Sequence, residues 1–229
     1  MYIVTTLYIA YVLWLCFVLY TICMTHIIDI SLPVHPAMPT YPGNQPTSFE
    51  QVVKPSGSQL NNITIDSHGG THIDAPSHAG ITNQTMNDYD LGIFYGPVRV
   101  IEIYNETLIS VDDLKNENIQ SGERILFKTD NSLRGFESFH DSWTALSSDT
   151  AAYLATAGVI LVGIDWFGIK QKGAPDNGAH TELLKHGIPI LEGIDLSQAD
   201  EGTYILSAFP IAYQGIDGAP ARAVLIRER

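Results

Sequence analysis

Residues 66–80 read DSHGGTHIDAPSHAG, and the conformation of this stretch decides what the rest of the chain must build around it. Three of the chain's eight histidines and two aspartates fall within it. The polar residues His68, His72, Asp74 and His78 all occupy even positions. In an extended chain, side chains two residues apart share a face, so His72 and Asp74 point the same way, with His68 and His78 at the two ends. A helix would also bring His68 and His72 together, four residues apart, but Gly69, Gly70 and Pro76 argue against one. The glycines instead let backbone pass close to an ion or a substrate. A lone histidine is ordinarily a surface or satisfied core residue. Two imidazoles and a carboxylate on one face are a donor set for Zn²⁺, Mn²⁺ or Fe²⁺, and the stretch is read as the wall of a metal site.

Around this wall the chain is long enough for one well-buried domain and short for two: it has 229 residues, 45% hydrophobic and 16% charged. A formal net charge of −13 repels nucleic acid, which excludes it as a partner and leaves a small-molecule substrate. Anionic groups would be welcome only where bound cations reverse the local sign.

Residues 1–24, MYIVTTLYIAYVLWLCFVLYTICM, carry no charged side chain and are long enough to span a bilayer core as a helix. They fit a membrane anchor, a signal segment lacking the usual positive start, or sequence upstream of a true start at Met24. Membrane contact is expected through this segment alone. The chain is cytoplasmic if translation begins at Met24, and anchored or secreted otherwise. Both cysteines, Cys16 and Cys23, lie here, so residues 25–229 offer neither a disulfide nor a thiolate ligand. Sequons at Asn62, Asn83 and Asn105 would matter only in a secretory compartment.

From residue 25 onward the pattern is one continuous domain. Strands are predicted over 27–34, 61–68, 96–105, 123–130, 159–165, 188–195, 203–210 and 222–228. Ile63 and Ile65 alternate with polar neighbours as in a half-buried strand, whereas VILVGID at 159–165 reads as a strand buried on both faces. Residues 147–158 open with Ser and Asp and stop at Gly158, an N-capped helix. A second helix is predicted over 180–187. The fold class is α/β, strand-rich, with few helices.

HGGTHIDAPSH, residues 68–78, matches every fixed position of the H-x-G-T-H-x-D-x-P-x-H signature, and here the chain resembles the metal-dependent cyclase family. That family includes bacterial-type kynurenine formamidase and isatin hydrolase. DISLPVHPAMPTYPG (29–43), GAHTELLKHGIPILEGIDL (178–196) and PIAYQGIDGAPARAVLI (210–226) are similar to its other segments, so the likeness covers most of 27–229. It implies a swivelling β/β/α-type layered sandwich and a homodimer or homotetramer. It also implies a divalent metal site, two Zn²⁺ per chain with Mn²⁺ as the other choice. By position, His68, His72 and Asp74 would ligate the first ion, Asp74 and Glu192 would bridge to a second, and His180 would complete the pair. His78 would be a non-ligand general acid and base. The implied reaction is hydrolysis of a C–N amide by metal-activated water, foremost the formamide of N-formyl-L-kynurenine, giving kynurenine and formate. An isatin-type lactam or a lactone is the alternative.

Tyr41 is the expected substrate contact; formamidases of the family commonly carry Trp there, and Asp where this chain has Asn44. Phe94, Tyr95, Trp166 and Phe167 are further candidates for an aromatic wall, with core packing as their ordinary role. Lys170, Lys172 and Arg222 are candidates to meet a substrate carboxylate. A mononuclear iron oxygenase would use His72, Asp74 and His180 as its triad, but it leaves His68 and Glu192 without a task.

Overall fold

The apolar runs read as strands pair edge to edge until the sheet meets itself. The computed structural model describes residues 25–228. The segment 1–24, with both cysteines and the question of anchor, signal or later start, lies outside the described residues. Among those described, no helix is long and apolar enough to cross a membrane.

The ring runs through β12 (Gly218–Glu228), β11 (Gly202–Pro210), β5 (Tyr95–Ile103), β7 (Arg124–Thr129), β9 (Leu161–Ile164), β10 (Ile190–Glu192) and β4 (His72–Asp74). β4 then pairs back onto β12. Closure depends on the length of β12. One edge takes β11 along 221–226, while the other takes β4 at 218–220 and β1 (Thr25–Asp29) at 224–228. The strand-rich α/β domain expected from the sequence is what forms; strand layers expected as a sandwich are joined into one closed wall.

The centre of the sheet, β5, β7, β9 and β10, is parallel, and its crossovers carry α2 (Ser148–Ala157) and α3 (Gly178–Leu184). Strand alternation divides the apolar residues into two cores. Leu126, Leu161 and Leu191 face the interior with Val100 and Leu206. Ile125, Phe127, Val162, Ile164 and Ile190 face the helices and meet Leu154, Leu183 and Leu184. Residues 161–164 are thus buried on both faces, as their unbroken apolar run predicts. Each such side chain contributes about 1.5–3 kcal/mol relative to an exposed one. α2 is capped by Ser147, whose Oγ accepts from the Thr150 amide at 3.1 Å, and it ends at Gly158 in the left-handed region.

Asp165, directly after β9, is fully buried and accepts from the Thr129 amide and hydroxyl, both at 2.7 Å, and from the Ser132 amide at 3.1 Å. Burial raises its pKa against these donors. It ties β9 to α1 (Asp130–Arg134), a short helix that the sequence pattern did not reveal.

The outer segments depart most from expectation. β2 (Ser48–Val53) and β3 (Gln59–Thr64) form a hairpin separate from the main sheet. The predicted half-buried strand over 61–68 is instead an exposed strand as far as Thr64, followed by half-buried residues 65–68 outside any strand. Phe49, Val53 and Ile63 are open to solvent, because no layer among the described residues covers the ribbon. β6 (Leu108–Ile109) and β8 (Ala145–Leu146) make a second small pair that was not anticipated.

Candidate metal centre

β4 is three residues long, buried throughout, and held on both edges. On one side it pairs antiparallel with β10, which sets Glu192 directly across from His72 and Ile190 across from Asp74. Opposed residues in an antiparallel ladder share a face, so His72, Asp74 and Glu192 converge. On the other side Gly218 of β12 lies across from Asp74. A Cβ at Gly218 would stand 2.6 Å from His68 Cε1, so the missing side chain is what lets the His68 ring lie there. Behind the strand, the Thr71 hydroxyl accepts from the Leu32 amide at 2.8 Å and donates to the Gly193 carbonyl. Gly193, at φ +65°, brings its backbone against Gly70 where any Cβ would collide with the Gly70 carbonyl.

His72 Nδ1 sits 2.9 Å from the Gly70 carbonyl. A carbonyl only accepts, so Nδ1 carries the proton and Nε2 presents a lone pair. Nε2 lies 3.3 Å from Glu192 Oε2 and 3.5 Å from Asp74 Oδ1. His180 Nε2 reaches both carboxylates as well, at 3.6 Å from Asp74 Oδ2 and 3.4 Å from Glu192 Oε1. His68 Nδ1 is 2.7 Å from Asp74 Oδ1. His78 is the outermost: its ring centroid lies 4.0 Å from that of His68 and 5.5 Å from that of His180. The structure therefore brings together all six residues that the sequence singled out on this wall and its distal partners.

The electrostatics are those of a cation site. Asp74 and Glu192 are two buried carboxylates a few ångströms apart. The only cationic partners they have among the described residues are imidazoles, and Glu192 Oε1 also accepts from the Ile169 amide at 2.6 Å. Burial works against the charge on Glu192, but the adjacent His180 and His72 imidazoles outweigh it and hold the carboxyl below its usual range. His180 is likewise opposed by burial and raised by Glu192 and Asp74. For His68, burial is overcome by Asp74 and Asp217, and the imidazole is pushed up to about 10. Despite this pairing, His72 Nε2 and Asp74 Oδ2 remain buried without a hydrogen-bond partner. Unsatisfied buried polar atoms are costly, and these two are the atom types that a divalent ion takes.

Two donor groups have all their ligand atoms within 4.8 Å of one another: His72, Asp74 and Glu192 form one, and His68, Asp74 and His78 the other. Asp74 belongs to both. The second group differs from expectation in containing His78, which the family likeness set aside as a proton carrier. His180 stands outside both groups although it faces their carboxylates.

A cavity of about 310 Å³ opens onto these donors, bounded by Tyr41, Asn44, Phe167, Lys170 and Asn177. That is at the small end of the ~300–1,000 Å³ usual for small-molecule sites. Tyr41 is braced edge-on against Phe139 and Trp143, at centroid separations of 5.5 and 6.3 Å. Trp166 is fully buried behind Phe167, and Phe94 is in the barrel core. Tyr95 is exposed and stacks on Phe209 at the outer surface. Lys172 pairs with Asp141 and Arg222 with Asp29, both on the surface, so of the three basic candidates only Lys170 lines the cavity. A larger cavity of about 620 Å³ shares only Phe167 with this one and holds none of the convergent donors.

Asp217 was not singled out in the sequence. Its carboxylate lies 3.1 Å from His68 Nε2 and 3.5 Å from His78 Nδ1. Only its neighbourhood, in QGIDGAP ahead of the closing strand, hinted at a role; no spacing rule connects it to residues 149 and 139 positions earlier.

Fold and site together define a barrel enzyme whose donors fit a divalent metal. The chain belongs to the putative cyclase family, whose model matches residues 28–171. It is similar to kynurenine formamidase of Bacillus cereus (strain ATCC 10987 / NRS 248), with 37% identity over 201 residues, covering 86% of this chain and 96% of that one. A structure from Bacillus stearothermophilus described as a predicted metal-dependent hydrolase superposes with a TM-score of 0.79 at 32% identity, covering 90% of this chain and 99% of the other. Isatin hydrolase A from Labrenzia aggregata shares the fold, with a TM-score of 0.78 at 22% identity over 90% and 94% of the two chains.

Proposed function

We propose that the chain is a metal-dependent amide hydrolase that takes N-formyl-L-kynurenine and water to kynurenine and formate. The observation that carries this reading is the sharing of Asp74 between two donor groups at the floor of an aromatic-walled cavity. Formamidase relatives that align along most of the chain support the choice of substrate.

His68, His72, Asp74, His180 and Glu192 would hold two zinc ions; manganese suits the same donors. When bound, the metal would supply acidified water near neutral pH and polarisation of the carbonyl. His78, a third exposed on its ring, has Nδ1 turned to Asp217 and Nε2 without a hydrogen-bond partner among the described residues. It takes a proton from the attacking water and returns it to the departing amine nitrogen, a task suited to an imidazole. Tyr41 and Phe167 hold the aryl ring, and Lys170 and Asn177 meet the amino-acid carboxylate. Residues 25–229 form the hydrolase domain, which self-associates as a dimer or tetramer; the ribbon of β2 and β3, which leaves Phe49, Val53 and Ile63 uncovered by the described residues, supports this. Light scattering measures the assembly.

Turnover of N-formyl-L-kynurenine and isatin, measured side by side on the same zinc-loaded preparation, tests the substrate. Faster formamide cleavage is expected. Preferential opening of the isatin ring would move the chain to the lactam branch, consistent with Tyr41 and Asn44 in place of Trp and Asp.

A further inference from the structure

We propose that Asp217 is a positioning residue whose single carboxylate orients both a metal ligand, His68, and the proton carrier, His78. The inference rests on the metal-hydrolase reading above and concerns the choice of ring nitrogen.

Asp217 lies in the turn just ahead of β12. Its Oδ2 is the partner of His68 Nε2 at 3.1 Å and of His78 Nδ1 at 3.5 Å, and its Oδ1 accepts from the Ser67 hydroxyl at 3.2 Å. A carboxylate that accepts from one imidazole nitrogen fixes the proton there and leaves the other nitrogen as a lone pair. For His68 this keeps the proton on Nε2, so that Nδ1, which donates to Asp74 Oδ1 at 2.7 Å in the metal-free protein, is the nitrogen that would give up its proton to ligate. For His78 it frees Nε2. One acid thus sets opposite tautomers on two neighbouring rings, aiming one at the metal donors and the other at the cavity.

The turn itself does not need this carboxylate. The Asp217 carbonyl accepts from the Ala75 amide at 2.8 Å, the Ile216 carbonyl accepts from the Met86 amide at 3.1 Å, and Gly218 is in register with Asp74. The Asp217 side chain is 43% exposed, so the fold gains little from it. Gly218 gives the His68 ring the space in which to meet it.

The test compares wild type, Asp217→Ala and Asp217→Asn by zinc titration against a chromophoric chelator, by steady-state kinetics, and by melting of the metal-free proteins. Asn keeps an acceptor oxygen without the charge. Asp217→Ala is expected to weaken zinc binding about 10–100-fold, as loss of a partner to a ligating histidine does, and to lower kcat with KM little changed. Asp217→Asn is expected to fall between, and all three metal-free proteins to melt together. Wild-type zinc affinity and kcat in Asp217→Ala would overturn the proposal. So would an Asn variant no better than Ala, or losses matched by a collapse of the metal-free fold. Failure of the hydrolase reading is distinguishable: wild type itself would then bind no zinc or release no product.

Discussion

Glu192 stands directly across the β4–β10 ladder from His72, and the two side chains meet with 3.3 Å between Oε2 and Nε2. Residues 120 apart in the chain are brought together by backbone register, so Glu192 is placed by the sheet, while His180 comes from the first turn of α3. Asp74, two residues along the same face, then lies within reach of every imidazole on the wall.

The shared position of Asp74 gives the first prediction. Asp74→Ala should release metal from both donor groups together, read as metal per chain after gel filtration. Retention of two ions would remove its bridging role.

His78 is claimed by two roles, as proton carrier and as a member of the outer donor group. His78→Ala should keep its metal and lose about 10²–10⁴-fold in turnover, the usual range for a general acid–base. Loss of metal and turnover together would place it among the ligands.

The pH dependence follows from His68. In the metal-free protein its pKa is raised to about 10, so the ring is protonated near neutrality. A raised imidazole pKa contributes stability that is full below about 6.5 and lost as pH rises through about 10. The melting difference between metal-free wild type and His68→Ala should fade across that window. Because a ligand must be deprotonated, zinc binding at pH 7.5 should also expel a proton, measurable calorimetrically in buffers of differing ionisation enthalpy. Zinc uptake with no proton release would contradict this.

Gly218→Ala tests the packing of His68. The added Cβ would stand 2.6 Å from Cε1 and 3.0 Å from Nε2, so the ring must move. Zinc affinity should fall by about 10–100-fold while β12 keeps its pairing, which far-UV circular dichroism reports.

What the sequence disclosed depended on how locally each feature is encoded. The parity of His68, His72, Asp74 and His78 is a property of an extended backbone and could be read directly. So could the helix between Ser147 and Gly158, whose cap and stop are both local, and the doubly buried run at 159–165. His180 and Glu192 had no such signal; helix-start and strand-end residues look like them, and only family likeness placed them. Closure of the sheet was not legible, because it rests on β12 serving two partners along one edge. Ile63 misled because alternation reports a ribbon with two faces but not whether either is covered. Asp217 was missed because its partners come from the opposite end of the chain.

The most direct test of the account is formate release from N-formyl-L-kynurenine by the purified protein before chelation, after chelation, and after zinc is restored. Formate and kynurenine are expected in equal amounts, with activity lost on chelation and returned with zinc. Undiminished release from the metal-stripped protein would contradict the account.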